Sequence, residues 1–179
     1  MTDTQDNPNL LLKTERLAPV FAAAVADLLI KNGWLLAAAE SCTGGMIAAA
    51  CTDLAGSSSW CERGFVTYSN AAKTAALGVA AELNAAEGAV SEAVVRAMAL
   101  GAVKHSHAQV AVAVTGVAGP TGGNAAKPVG TVWFGFALAS PPGHLVSEVR
   151  LFNGDRAAVR QATVQYALQR LAELMTPSP

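Results

Sequence analysis

The chain has 179 residues, enough for one domain that buries a sizeable core. Hydrophobic residues make up 52% of it and charged residues only 14%, which excludes the polar composition typical of disordered chains. The net charge is -1 and the basic residues are scattered, so we expect no nucleic-acid partner.

The first segment and the cysteines favour a cytoplasmic protein. Residues 1–16 begin with acidic and polar side chains, unlike a secretory signal, and we expect a flexible tail there. The apolar run 18–30 is interrupted by Asp27 and is too short to span a bilayer, so no membrane partner is expected. The three cysteines form no C-x-x-C pair, which indicates free thiols in a reducing compartment and no metal site.

Hydrophobic periodicity and turn residues predict five helices and five strands. In chain order these are a helix at 19–32, a strand at 34–39, a helix at 44–52, a strand at 60–69, helices at 70–77 and 91–104, strands at 109–114, 131–139 and 144–152, and a helix at 155–174. Gly33 and Gly78 are expected to end the first and third helices, while Asn70 and Asp155 are expected to cap the third and the last.

The order of these elements predicts the fold class. Strands joined through helices favour parallel neighbours, whereas the short Pro-Pro-Gly turn at 141–143 favours an antiparallel pair. We therefore predict an α/β fold, a three-layer α/β/α sandwich with a mixed, mostly parallel sheet of about five strands and one antiparallel hairpin. One domain is expected at 17–175, followed by a loose tail at 176–179.

The first candidate for chemistry is the segment E-S-C-T-G-G at 40–45, where a strand meets a helix. A helix start presents unpaired N–H groups and the positive end of the helix dipole, which suit an oxyanion or a phosphate. Ser41 is therefore a candidate nucleophile. The candidate oxyanion-binding residues are Thr43, Gly44 and Gly45. Two alternatives stay open: Ser41 or Thr43 only caps the helix, or Cys42 is the nucleophile because a helix start lowers a thiol pKa.

The second candidate is Y-S-N-A-A-K at 68–73, where a strand ends and a short helix begins. A serine nucleophile needs a base, and no histidine is well placed by its position in the chain. Lysine can serve when burial or a positive potential lowers its pKa, and a helix start disfavours the charge of Lys73. Tyr68 is a candidate proton relay and Asn70 a candidate substrate ligand. The alternative is that Lys73 is an ordinary surface lysine.

The third candidate is the glycine-rich loop at 115–127, which follows a buried strand. Ligands of α/β sheets bind outside the carboxyl ends of strands, so contact with a substrate is expected here. The candidate binding residues of this loop are Thr115, Gly116, Gly119, Gly122 and Gly123. The alternative is a flexible surface loop.

Two arginines form the fourth candidate. Arg156 and Arg160 lie one turn apart on the same face of the last helix, where they are available to a phosphate. The alternative for Arg156 is an exposed ion pair with Asp155. The sequence leaves open whether these arginines or the glycine loop hold a phosphate.

Taken together, the segments resemble the C-terminal domain of the competence/damage-inducible protein CinA. The motifs that carry the resemblance are AESCTGG at 39–45, GSS at 56–58, RGFVTYSN at 63–70, GAVSE at 88–92, VTGVAGP at 114–120 and KPVG at 127–130. The resemblance spans 17–174, and it implies a single stand-alone domain without the molybdopterin-binding-like module of larger relatives.

The resemblance also implies an activity. The family contains nicotinamide-nucleotide amidases, which convert nicotinamide mononucleotide and water to nicotinate mononucleotide and ammonia. It implies a serine, a lysine and a tyrosine as catalytic residues, here Ser41, Lys73 and Tyr68, with no metal ion and no cofactor. The expected partner is a small nucleotide, and surfaces rich in small residues allow a homo-oligomer. The alternatives are a non-catalytic nucleotide-binding or regulatory module, a cysteine hydrolase, and an interaction protein of DNA uptake or repair.

Overall fold

The structure is a computed structural model that describes residues 17–138 and 144–176. The helices of these residues are α1 (Leu17–Asn32), α2 (Met46–Thr52), α3 (Asn70–Leu77), α4 (Ala81–Glu87), α5 (Glu92–Lys104) and α6 (Arg156–Met175). The strands are β1 (Leu36–Glu40), β2 (Cys61–Val66), β3 (Val110–Gly116), β4 (Thr131–Leu138) and β5 (His144–Leu151). The predicted tail at 1–16, the turn at 141–143 and residues 177–179 lie outside the described residues.

One mixed sheet has the strand order β2-β1-β3-β4-β5. β1 pairs in parallel with β2 and β3, whereas β3–β4 and β4–β5 are antiparallel. The predicted mixed sheet and its final hairpin are confirmed, but the parallel share is smaller than predicted. The reason is that the connection 117–130 carries no helix, so the chain reverses direction instead of making the crossover that a parallel pair needs.

The two faces of the sheet carry side chains of different size. β3 shows this alternation, with Val110, Val112 and Val114 on the face covered by α1, α2 and α6, and Ala111 and Ala113 on the face covered by α3 and α5. Small side chains let α5 lie close to the sheet. A Cβ added at Gly135 of β4 would lie 2.7 Å from the carbonyl oxygen of Val95. Helices on both faces confirm the predicted three-layer sandwich.

Several predicted element ends are confirmed by their capping residues. Gly33 and Gly78 follow α1 and α3 with φ of 64° and 68°, the left-handed conformation that favours glycine. The carboxylate of Asp155 accepts a hydrogen bond from the N–H of Ala158 at 2.9 Å and caps α6. None of the helices in the described part of the chain is long and apolar enough to cross a membrane.

Other local predictions are corrected. The cap of α3 is Ser69, whose hydroxyl accepts from the N–H of Ala72 at 3.1 Å, and Asn70 is the first helical residue. The helix α4 was not predicted, because its N-cap residue Ala80 has no side chain that can cap the helix. β2 ends at Val66, three residues earlier than predicted, and β3 runs on through the first two residues of the predicted glycine loop.

Candidate active site

Ser41 and Lys73 meet at the carboxyl end of β1. Ser41 directly follows this strand, which lies between β2 and β3 in the sheet, and Lys73 lies in the first turn of α3. The Nζ of Lys73 donates to the Oγ of Ser41 at 3.0 Å and to the carbonyl of Thr67 at 3.0 Å. The side chain of Lys73 is only 1% exposed, so the alternative of an ordinary surface lysine does not hold.

Burial lowers the pKa of Lys73 below its ordinary value of 10.5, because the charged ammonium loses its hydration. A negative charge on Cys42 would raise the pKa of Lys73, which is the smaller effect. The neutral amine is therefore more populated near pH 7 than in a solvated lysine. A neutral amine that donates to Thr67 presents its lone pair to the hydroxyl of Ser41, which is the geometry of a general base.

The thiol of Cys42 is poorly suited to the same task. It is 5% exposed, and burial raises its pKa to about 11. A thiol in that state carries little thiolate near neutral pH, and the thiolate is the nucleophilic form. The geometry therefore favours Ser41 over Cys42.

A buried carboxylate occupies the start of α2. The side chain of Glu40 is 1% exposed and accepts from the backbone N–H groups of Gly45, Ile47 and Ala48 at 3.1, 3.0 and 2.8 Å. Its negative charge lies at the positive end of the helix, a stabilising arrangement. The signal in the sequence is a glutamate just before a glycine-rich helix start.

This arrangement corrects part of the predicted oxyanion site. The N–H of Gly45 donates to Glu40, and the N–H of Gly44 donates to the carbonyl of Ser41 at 3.1 Å. Both groups already have acceptors inside the chain. The N–H of Thr43 has no acceptor among the residues that the structure describes.

Arg160 approaches the same turn from α6. Its Nε donates to the carbonyl of Cys42 at 3.1 Å, and its Nη2 donates to the carbonyl of Thr43 at 2.8 Å. Two of its guanidinium donors are therefore directed at the backbone beside Ser41. Arg160 also lines a cavity of about 630 Å³, so its predicted contact with a phosphate stays a prediction.

A small cavity of about 190 Å³ opens in front of Ser41 and Lys73. Ala89, Val90 and Thr115 contribute to its wall, and the hydroxyl of Thr115 donates to the carbonyl of Ala89 at 2.8 Å. Gly116 also lines it, where an added Cβ would lie 2.7 Å from the side chain of Val132. The predicted residues Thr115 and Gly116 therefore lie at the same cavity as Ser41.

A larger cavity of about 630 Å³ adjoins the small one, since Ala118 and Arg156 line both. Arg156 donates from Nη1 to the carbonyl of Gly119 at 2.8 Å and from Nη2 to the hydroxyl of Tyr68 at 2.7 Å. Tyr68 lines the small cavity with 61% of its surface exposed. These bonds, together with the capping role of Asp155, replace the alternative of an Arg156–Asp155 ion pair.

Seven predicted binding residues line neither cavity: Thr43, Gly44, Gly45, Asn70, Gly119, Gly122 and Gly123. Asn70, Gly122 and Gly123 are exposed to solvent. The loop instead packs back on its own chain, since an added Cβ would lie 2.5 Å from Val129 at Gly119 and 2.7 Å from the backbone of Val129 at Gly123. At these positions glycine allows close packing of the loop, which sequence reasoning had attributed to ligand contact.

Comparison with known families decides the relationship. The family model described as the CinA C-terminal domain matches residues 19–175. The chain belongs to the CinA C-terminal domain family. The resemblance found in the sequence is thereby confirmed over nearly all of the described chain.

Relatives within the CinA family carry informative names. The chain is 51% identical over 156 residues to a protein of Enterobacter agglomerans named nicotinamide-nucleotide amidohydrolase PncC, covering 87% of this chain and 94% of that protein. It is 53% identical over 147 residues to the Escherichia coli K12 protein of the same name, covering 82% and 88%. The competence/damage-inducible protein CihA of Agrobacterium tumefaciens has the same fold, with a TM-score of 0.85 and 42% identity over 89% of this chain and 96% of that chain.

Proposed function

We propose that this chain hydrolyses the carboxamide of nicotinamide mononucleotide to nicotinate mononucleotide and ammonia, with Ser41 as the nucleophile. The observation that carries the proposal is the 3.0 Å hydrogen bond between Ser41 Oγ and the buried Lys73 Nζ, at the mouth of a cavity. The substrate rests on two relatives with more than half of their aligned residues identical, both named nicotinamide-nucleotide amidohydrolase.

Acylation begins when neutral Lys73 accepts the Ser41 proton as Oγ attacks the carboxamide carbon. The carbonyl oxygen becomes an oxyanion, and the N–H of Thr43 is the member of the predicted donor set without an acceptor of its own. One such donor contributes roughly 3–4 kcal/mol in comparable sites. The carbonyl of Thr67 holds the ammonium that forms on Lys73.

Ammonia leaves after Lys73 returns the proton to the amide nitrogen, which breaks the C–N bond and leaves an ester on Ser41. Lys73 is then neutral again and accepts a proton from water as the water attacks that ester. Collapse of the second intermediate gives back the proton to Ser41 and releases the carboxylate. Lys73 therefore acts as base and acid in alternation, and no metal ion takes part.

The two adjoining cavities match the two parts of the substrate. We place the nicotinamide ring in the small cavity, so that its amide meets Ser41, and the ribose phosphate in the larger one. Arg156 lines both cavities and supplies guanidinium donors for the phosphate. The oxygen of Tyr68 accepts from Arg156, so its own O–H is left as a donor at the cavity mouth.

The test is ammonia release from nicotinamide mononucleotide with a chelator present, for the parent chain and for Ser41→Ala. Ammonia from the parent and none from the variant is the expected result. Ammonia from neither would reject the amidase proposal for this substrate, and retained binding of the nucleotide would then favour the non-catalytic binding module. Equal release by both proteins would reject Ser41 as the nucleophile.

A further inference from the structure

The turn at 42–45, directly after Ser41, has little preferred backbone conformation of its own. Gly44 and Gly45 adopt φ of 62° and 100°, and adjacent glycines have more accessible conformations than any other pair. The turn follows Ser41 directly, so freedom in its backbone would move the Oγ away from Lys73. Its shape must therefore come from bonds to other parts of the chain.

Two charged side chains supply these bonds. One accepts hydrogen bonds from backbone N–H groups, and the other donates hydrogen bonds to backbone carbonyls. The carboxylate of Glu40 accepts from N–H groups at the end of the turn and the start of α2. The guanidinium of Arg160 donates to the carbonyls of Cys42 and Thr43 at 3.1 and 2.8 Å. Hydrogen bonds with one charged partner are about twice as strong as neutral ones.

The Arg160 bonds fix the orientation of two successive peptide groups. In a trans peptide the C=O and the N–H point in opposite directions. Because the carbonyls of Cys42 and Thr43 are turned toward Arg160, the N–H groups of Thr43 and Gly44 are turned away from it. The Gly44 N–H reaches the carbonyl of Ser41 at 3.1 Å, which closes the turn on the nucleophile itself.

We infer that Arg160 is a positioning residue that holds the backbone of residues 41–44 so that the Oγ of Ser41 stays against Lys73. Arg160 also lines the larger cavity, so positioning and phosphate binding have to be separated by experiment. The inference rests on the proposed function only in taking Ser41 as the nucleophile. Arg156, one turn earlier on α6, bonds to the glycine loop and Tyr68 and does not share this task.

The first test measures how fast phenylmethylsulfonyl fluoride labels Ser41 in the full chain without substrate. The Ser41 Oγ forms a bond to sulfur, the S–F bond breaks, fluoride leaves, and Lys73 takes the proton. We expect Arg160→Gln to slow labelling about 10- to 100-fold, the effect of a displacement on the order of 1 Å at a reacting group. Arg160→Lys keeps the charge without the planar fork, and we expect an intermediate rate.

Arg170→Gln is the matched control, because Arg170 lies on the same helix and bonds to Glu148 and Glu173, away from the turn. Its labelling rate should equal that of the parent, and thermal unfolding should show that every variant is folded at the assay temperature. Equal labelling of the parent and Arg160→Gln, equal slowing in Arg170→Gln, or a parent chain that is not labelled at Ser41 would each overturn the inference.

Steady-state kinetics with nicotinamide mononucleotide separate positioning from phosphate binding. A positioning role predicts that Arg160→Gln lowers kcat and leaves KM within about twofold, because ground-state binding is unchanged. A raised KM with unchanged kcat would identify a phosphate ligand and reject the inference. Labelling needs no amide substrate, so a chain that labels as expected but releases no ammonia would reject the proposed function alone.

Discussion

The candidate site has a buried end and an exposed end, and its basic side chains have different partners at each. At the buried end, Lys73 is 1% exposed and bonds to Ser41, and Arg160 bonds to backbone carbonyls. At the exposed end, Arg156 bonds to the hydroxyl of Tyr68, which is 61% exposed. Burial is what makes a basic side chain useful as a proton acceptor, whereas exposure leaves it available to an anionic substrate.

The largest expected effect is the loss of the buried base. Lys73→Met keeps the length of the side chain and removes its amine, so we expect kcat/KM to fall about 10⁴-fold or more, as when a member of a coupled nucleophile–base pair is removed. The measurement is ammonia release, with thermal unfolding as the control for folding. Activity within tenfold of the parent would mean that another group is the base.

A change at the exposed end should instead affect binding. Arg156→Gln removes a charged partner of the phosphate, and we expect KM to rise about 10- to 100-fold with kcat little changed, since such a bond contributes about 1.5–3 kcal/mol. The same change should have little effect on nicotinamide riboside, which has no phosphate. A fall in kcat without a change in KM would place Arg156 with the buried end.

The dependence of kcat/KM on pH tests the buried end of the site in the unmodified chain. Lys73 accepts a proton only as the neutral amine, and burial lowers its pKa below 10.5. We therefore expect kcat/KM to rise about tenfold per pH unit and to level off at a pH below 10.5, where Lys73 has lost its proton. A rate that falls as the pH rises over this range would show that the charged ammonium is the active form.

The smallest expected effect is at Cys42, which lies beside Ser41 but has a raised pKa. We expect Cys42→Ala to change kcat/KM by no more than about threefold, which is less than 1 kcal/mol in the barrier. Ammonia release from both proteins is the measurement. A loss comparable to that of Ser41→Ala would support the alternative that Cys42 is the nucleophile.

Local signals were enough for much of the fold. Gly78 ends α3 and Asp155 caps α6 as predicted, because each effect depends on residues within one turn. The antiparallel β3–β4 pair was not predicted, since it depends on the path of a loop without regular structure. The helix α4 was not predicted for a different reason: it begins without a capping side chain, so the local signal for a helix start is absent.

In the candidate site, too, local features could be predicted from the sequence and tertiary contacts could not. Sequence reasoning named Ser41 and Lys73 from the chemical need for a nucleophile and a base, together with a family resemblance, but the burial of Lys73 is a tertiary property. The contacts of Arg160 with Cys42 and Thr43 were not predicted, because they join residues 118 and 117 positions apart in the chain. No local pattern reports such contacts.

The most direct test of the central claim is to trap the covalent intermediate. The parent chain would be mixed with nicotinamide mononucleotide, quenched in acid within milliseconds to seconds, digested and analysed by mass spectrometry. We expect a nicotinoyl-nucleotide ester on the peptide that contains Ser41, and none in Ser41→Ala. An adduct on Cys42, or product formed in the first turnover with no adduct at any quench time, would contradict a serine nucleophile activated by Lys73.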